Sequence, residues 1–207
     1  MKKVEDILTS DPTSTKNKKT DFSNLILELT KAKDEGNTLY KQKKLDDAKK
    51  KYEEGLEKYA KESSLINKEK SSNEQCNEVL LLHKKILSNL ALCYYKQGNY
   101  EKAIEYDLKI IAEDPKFGKS IVRLFNSYSR TNKIQQAANF GDLFLELDQE
   151  TRDKFKGIQT KVQDEKLKLK KILKEEKDKI KKEFAKYGIP ALILLLAILI
   201  FLLVRKK

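Results

Sequence analysis

Five polar residues have the types and the spacing to hold an anion. Lys33 and Asn37 are four apart, Lys119 and Arg123 are four apart, and Asn89 stands between the two pairs. On an α-helix, residues i and i+4 share a face, so each pair projects in one direction. Together the five offer two ammonium groups, one guanidinium and two carboxamides, with no carboxylate among them. That donor set suits a small, doubly negative group. Taken singly, each would be an ordinary solvated residue on an exposed helix face. They act together only if the elements carrying them are stacked so that one face of each looks into a common groove.

The sequence supplies such elements. In Asn89–Pro115, Leu87, Leu90, Ala91 and Tyr94 recur at helical spacing, Gly98-Asn99 breaks the chain, Ala103, Tyr106 and Ile110 recur again, and Pro115 stops the second helix. Leu90 to Leu124, Tyr94 to Tyr128 and Ala103 to Ala137 are each 34 residues apart, the period of the tetratricopeptide repeat. The chain resembles that family on these residues, and the reading is an all-α fold of three helix–turn–helix repeats, at about 22–62, 74–115 and 116–148. In the first, Leu25, Leu29, Ala32, Gly36, Leu39 and Tyr40 mark one helix and Ala48, Tyr52, Gly55 and Tyr59 the other, with Gly36 at the position of close helix approach. Ala48 to Ala103 is 55 residues, so an insertion falls around Lys61–His83, and the expectation is a pair of lengthened helices around a Ser-rich loop. The third repeat departs from the pattern, with Phe125 where a small residue is usual and Gly141 where an aromatic is usual. First helices of successive repeats line a concave groove, which is where the five polar residues fall.

The remainder of the chain reads as accessory. Residues 1–21 are expected to be a disordered arm with no signal peptide. A long helix over 149–187, with Phe155, Ile158, Val162, Leu169, Leu173, Ile180 and Phe184 as its thin apolar stripe, is expected to cap the last repeat and continue as a charged stalk. A second copy could cover the stripe over 158–187 by self-association. Residues 188–204 include sixteen, Ile189–Val204, without a polar side chain, and Arg205-Lys206-Lys207 follow as a basic tail. The run spans about 24 Å at ~1.5 Å per residue and is expected to be a single C-terminal transmembrane helix with the repeats left in the cytosol. A thin bilayer suits it, the endoplasmic reticulum slightly before the mitochondrial outer membrane.

Charge and composition narrow the classes. The net charge is +12, yet 152–186 holds 14 Lys and Arg against 7 Asp and Glu, and three more cations end the chain. A basic excess flanking an apolar run fits anionic lipid head groups and not nucleic acid. Cys76 and Cys93 have no metal-ligand spacing and are read as free thiols, Cys93 as core filling and Cys76 at a surface or interhelix position. With His83 as the only histidine, no catalytic site, metal site or cofactor is expected, and the chain is read as not an enzyme.

Lys33-Asp-Glu-Gly-Asn37, Asn89-Leu-Ala and Lys119-Ser-Ile-Val-Arg123 resemble the carboxylate clamp of co-chaperone tetratricopeptide domains, which hold the C-terminal Glu-Glu-Val-Asp of cytosolic heat-shock chaperones. The plan as a whole is similar to a membrane-anchored immunophilin without its isomerase domain. The resemblance implies that Lys33, Asn37 and Asn89 hold the terminal α-carboxylate, while Lys119 and Arg123 engage the Asp side chain and the peptide before it. It implies a tail-anchored adaptor that recruits such chaperones to an organelle. The alternative is a tail-anchored scaffold of organelle fission or protein targeting that binds its partner without a carboxylate clamp.

Overall fold

The computed structural model describes residues 20–69 and 73–204, with only the side chains of Lys186 and Leu196 described beyond residue 183. Its elements are α1 (Ser23–Lys41), α2 (Leu45–Glu69), α3 (Glu74–Lys96), α4 (Tyr100–Glu113), α5 (Gly118–Arg130), α6 (Ile134–Leu145), α7 (Gln149–Asp153) and α8 (Ile158–Val204). There is no strand among the described residues. The described residues form two compact units, one ending at Ile110 and one beginning at Ile111.

Three helix–turn–helix turns are built alike. Each first helix ends with a residue at positive φ: Lys43 at 63°, Gly98 at 80° and Asn132 at 56°. The amide that follows bonds five residues back, Lys44 to Leu39, Asn99 to Tyr94 and Lys133 to Tyr128, at 3.0, 3.0 and 2.9 Å. This is the Schellman arrangement, which satisfies carbonyls a helix end would otherwise leave open. The next helix starts at once, with Ala48, Ala103 and Ala137 bonding to Lys44, Asn99 and Lys133. All three alanines are buried.

In the first unit, Leu25, Leu29, Ala32 and Gly36 face inward from α1 at spacings of four, three and four. They meet Ala48, Tyr52 and Gly55 of α2 and the apolar face of α3. A Cβ added to Gly36 would lie 2.7 Å from Tyr52 Cδ1, so only glycine admits the tyrosine ring there. The insertion is absorbed by helix length: α2 has 25 residues and α3 has 23, and their added turns bury Ile66, Cys76, Val79 and Leu82. Cys76 is therefore a core thiol, as is Cys93. Thr20 and Asp21, expected in the arm, are placed: the Asn73 amide donates to the Thr20 carbonyl at 2.8 Å, and the Thr20 N–H donates to Glu69 at 3.1 Å. Residues 1–19 lie outside the described residues.

In the second unit, Ile121, Leu124, Phe125 and Tyr128 of α5 pack with Ala137, Ala138 and Phe144 of α6. Gly141 lies under α8: a Cβ there would stand 2.8 Å from Val162 Cγ1. The absent aromatic is what lets the last helix seat Val162, which has no exposure, on α6. The capping helix does not begin at 149 as expected. Asp148 caps the short α7 through the Thr151 N–H at 2.8 Å, the chain turns at Gly157 (φ +83°), and α8 starts at Ile158. Every residue from 170 to 183 is exposed. The α8 backbone is helical to Val204, but apart from Leu196 the side chains of the expected anchor lie outside the described residues, as does the 205–207 tail. Among the described residues no helix is long and apolar enough to cross a membrane.

Candidate functional site

The first unit brings three of the five residues together. Asn89 Nδ2 on α3 donates to Asn37 Oδ1 on α1 at 2.8 Å, and the buried Tyr52 hydroxyl on α2 donates to the same oxygen at 2.8 Å. With both lone pairs of Asn37 Oδ1 engaged, its carboxamide is fixed and its Nδ2 is left to donate outward. Burial pushes the Tyr52 hydroxyl pKa well up, so it stays a proton donor to Asn37 at any physiological pH. Lys33 lies one turn before Asn37 on the same face of α1. Its side chain is 20% exposed, and its ammonium meets the more exposed Asp34 at 3.2 Å. An exposed ion pair of this kind is worth about 0–1 kcal/mol, too little to keep the ammonium from a better anion.

The pairing of α1 with α3 is in parallel register. Asn37 and Asn89 are 52 residues apart, and Ser23 Oγ accepts from Gln75 Nε2 at 2.9 Å across the same interval of 52. Two contacts fourteen residues apart at one offset fix the alignment of the helices along that length. The same offset carries Lys33 to Lys85. Lys85 is exposed and forms no ion pair among the described residues. Sequence reasoning passed over it, although Lys85 to Lys119 and Asn89 to Arg123 are both 34 residues apart and the repeat period was a sufficient signal.

The second unit carries the remaining two. Lys119 and Arg123 sit one turn apart on α5, Lys119 exposed and Arg123 buried to 7% exposure. On the same helix the hydroxyls of Ser120 and Ser127 are buried without a hydrogen-bond partner, and Asn126 turns its amide to the Val122 carbonyl at 2.8 Å. The arrangement is chemically one of donors: fixed amides and ammonium groups presented from first helices. Among the described residues no group of three His, Cys, Asp or Glu is placed to hold a metal.

Comparison with known proteins agrees with this architecture. Residues 85–117 match the tetratricopeptide repeat family. The structure resembles the C-terminal TPR-containing domain of a Plasmodium falciparum FK506-binding protein, at 20% identity and a TM-score of 0.54, covering 70% of this chain and 95% of that one. It can also be laid on the Hsp90 co-chaperone Cns1 of Saccharomyces cerevisiae, at 22% identity and a TM-score of 0.48, over 75% of this chain and 46% of that one. No curated protein matches the chain in sequence. The chain thus carries a tetratricopeptide repeat within an all-α fold of that type.

Proposed function

We propose that this chain is an adaptor that binds the free acidic C-terminus of a cytosolic heat-shock chaperone, of the Glu-Glu-Val-Asp type, through Lys33, Asn37, Asn89, Lys119 and Arg123. The observation that carries the reading is the Asn89–Asn37 bond, held by Tyr52 and flanked by Lys33. Two locked carboxamides beside an ammonium are a preorganised cradle for a carboxylate, which lowers the entropy lost on binding. In this reading Lys33, Asn37 and Asn89 take the terminal α-carboxylate, and Lys119 and Arg123 take the Asp side chain and the chain before it. Charge-assisted hydrogen bonds of about 1.5–3 kcal/mol each and a small buried area place the affinity near micromolar, about −8 kcal/mol. No step in this function calls for catalysis.

The same proposal makes 188–204 a membrane anchor, supported by the sixteen-residue run from Ile189 to Val204 without a polar side chain and by its basic flanks. The adaptor would then gather chaperones at an organelle surface, the endoplasmic reticulum before the mitochondrial outer membrane. Imaging a fluorescent fusion of residues 149–207 tests this part, and a fusion that stays diffuse sinks it.

Titration of the full chain with a peptide ending Met-Glu-Glu-Val-Asp tests the binding. Micromolar affinity is expected, strongly weakened by C-terminal amidation of the peptide and weakened by Lys119→Ala with Arg123→Ala. No binding by folded protein removes the chaperone reading and leaves a scaffold that takes its partner in another way.

A further inference from the structure

The parallel register of α1 and α3 sets two lysines against each other. Ser23 with Gln75 and Asn37 with Asn89 are bonded at an offset of 52, and Lys33 with Lys85 is the pair at that offset one turn before the asparagines. Like charges directly opposed on neighbouring elements are unfavourable unless something of opposite sign lies between them. Among the described residues the only acid bonded to either is Asp34, which reaches Lys33 from its own helix and is itself 60% exposed. The next acid on the stripe is the exposed Glu78, two turns before Lys85 on α3; one turn to either side of Asn89 that face carries Lys85, Ile86, Leu92 and Cys93, and one turn to either side of Asn37 the face of α1 carries Lys33, Asp34, Tyr40 and Lys41. Two lysines and two hydrogen-bonded asparagines on neighbouring helices thus give a single unit four donor side chains.

We infer that Lys85 is a further binding residue of this site, and that Lys33 and Lys85 together bridge the terminal α-carboxylate of the bound peptide while Asn37 and Asn89 donate to it from above. This rests on the carboxylate-binding reading and sharpens it. The free C-terminus is then the most strongly read feature of the ligand, held by four groups of the first unit, and the acidic side chains before it are secondary. A carboxylate has two oxygens and about four acceptor directions, enough for two ammonium and two amide donors. The ligand class is a peptide ending in a free carboxylate, and an internal acidic segment does not substitute for it.

The test is a double-mutant cycle on the full chain, with Lys85→Gln on one side and amidation of a peptide ending Met-Glu-Glu-Val-Asp on the other, read by fluorescence anisotropy. Lys85→Gln is expected to weaken binding of the free-acid peptide about tenfold, the equivalent of one charge-assisted contact, and to leave the amidated peptide's residual binding unchanged. Lys85→Arg should restore most of the loss. Lys85→Gln should not lower the melting temperature of the unliganded protein, since it removes a repulsion, so the loss of binding cannot be laid to unfolding. If the free-acid peptide binds, amidation weakens it, and Lys85→Gln changes neither affinity, the assignment of Lys85 is overturned and the carboxylate site stands. If the wild-type chain does not distinguish free acid from amide, the carboxylate reading falls and Lys85 with it.

Discussion

Asn37 Oδ1 accepts from both Tyr52 and Asn89 at 2.8 Å, so one side chain ties the second helix of the first repeat to the first helix of the second. The two donors are not equivalent. Tyr52 is 1% exposed and has no water to turn to, whereas Asn89 is half-buried. Asn37→Ala leaves a buried hydroxyl proton without its acceptor and should cost about 1–3 kcal/mol. Asn89→Ala leaves Asn37 still bonded to Tyr52 and should cost less than about 1 kcal/mol. Urea denaturation of the two variants measures the difference, and equal costs would mean that Asn37 holds Tyr52 no more firmly than it holds Asn89.

The turn of the first repeat is the strained one. Gly98 and Asn132 tolerate positive φ, but Lys43 adopts φ 63° with a Cβ in place. Lys43 is exposed and its side chain makes no ion pair among the described residues. Lys43→Gly should therefore raise stability by about 1 kcal/mol, the left-handed penalty outweighing the added freedom of the unfolded chain. An unchanged or lower denaturation midpoint would show that the turn holds its geometry at no cost.

Gly141 trades helix propensity for proximity. In the middle of α6 an alanine would gain about 1 kcal/mol over glycine, but its Cβ would stand 2.8 and 3.1 Å from the two methyl groups of Val162, a branched side chain with no exposure and nowhere to turn. Overpacking of that kind costs about 1–3 kcal/mol, so Gly141→Ala should be destabilising on balance. Val162→Ala, harmful alone, should be partly compensating in the Gly141→Ala background, because the two share one contact. Strict additivity of the two changes in thermal denaturation would count against close packing of α8 on α6.

Turn and packing positions also show what the sequence could and could not disclose. Gly98-Asn99 announced its turn because glycine and asparagine carry the conformation in their chemistry. Lys43 announces nothing, since a lysine carries no preference for a left-handed turn. Gly36 was recognisable as a close-approach residue because Tyr52 follows at the repeat's own spacing, and the lengthened α2 and α3 followed from a break in the period with apolar residues on both sides. Gly157 was missed for a physical reason: Phe155, Ile158 and Val162 keep helical spacing across it, so the stripe looks continuous although the backbone turns there. Lys85 was hidden by abundance, one of 44 Lys and Arg. Its distinction is its partner across α1, and that becomes visible only when the register of two helices is fixed by bonds such as Ser23–Gln75.

The last prediction concerns the one histidine. His83 stacks on Tyr59 with ring centroids 3.7 Å apart and planes 10° from parallel, and its Nδ1 is buried with no hydrogen-bond partner. Burial lowers its pKa to about 4, from 6.5 in the unfolded chain. Above pH 6.5 the imidazole is neutral in both states and the fold has its full stability. Between about pH 6.5 and 4 the unfolded chain takes up a proton that the folded one refuses, so stability declines across that window, by up to about 3 kcal/mol. Carboxylates elsewhere in the fold, such as Glu105 with its pKa lowered by hydrogen bonds from Lys102 and Lys109, lose their contribution only at lower pH. His83→Phe keeps a ring on Tyr59, removes the unpartnered nitrogen and cannot titrate. It should equal or exceed the wild type in stability at pH 7 and show a flat denaturation midpoint from pH 7 to 5, where the wild type falls. A variant that declines in parallel with the wild type would place the acid sensitivity somewhere other than His83.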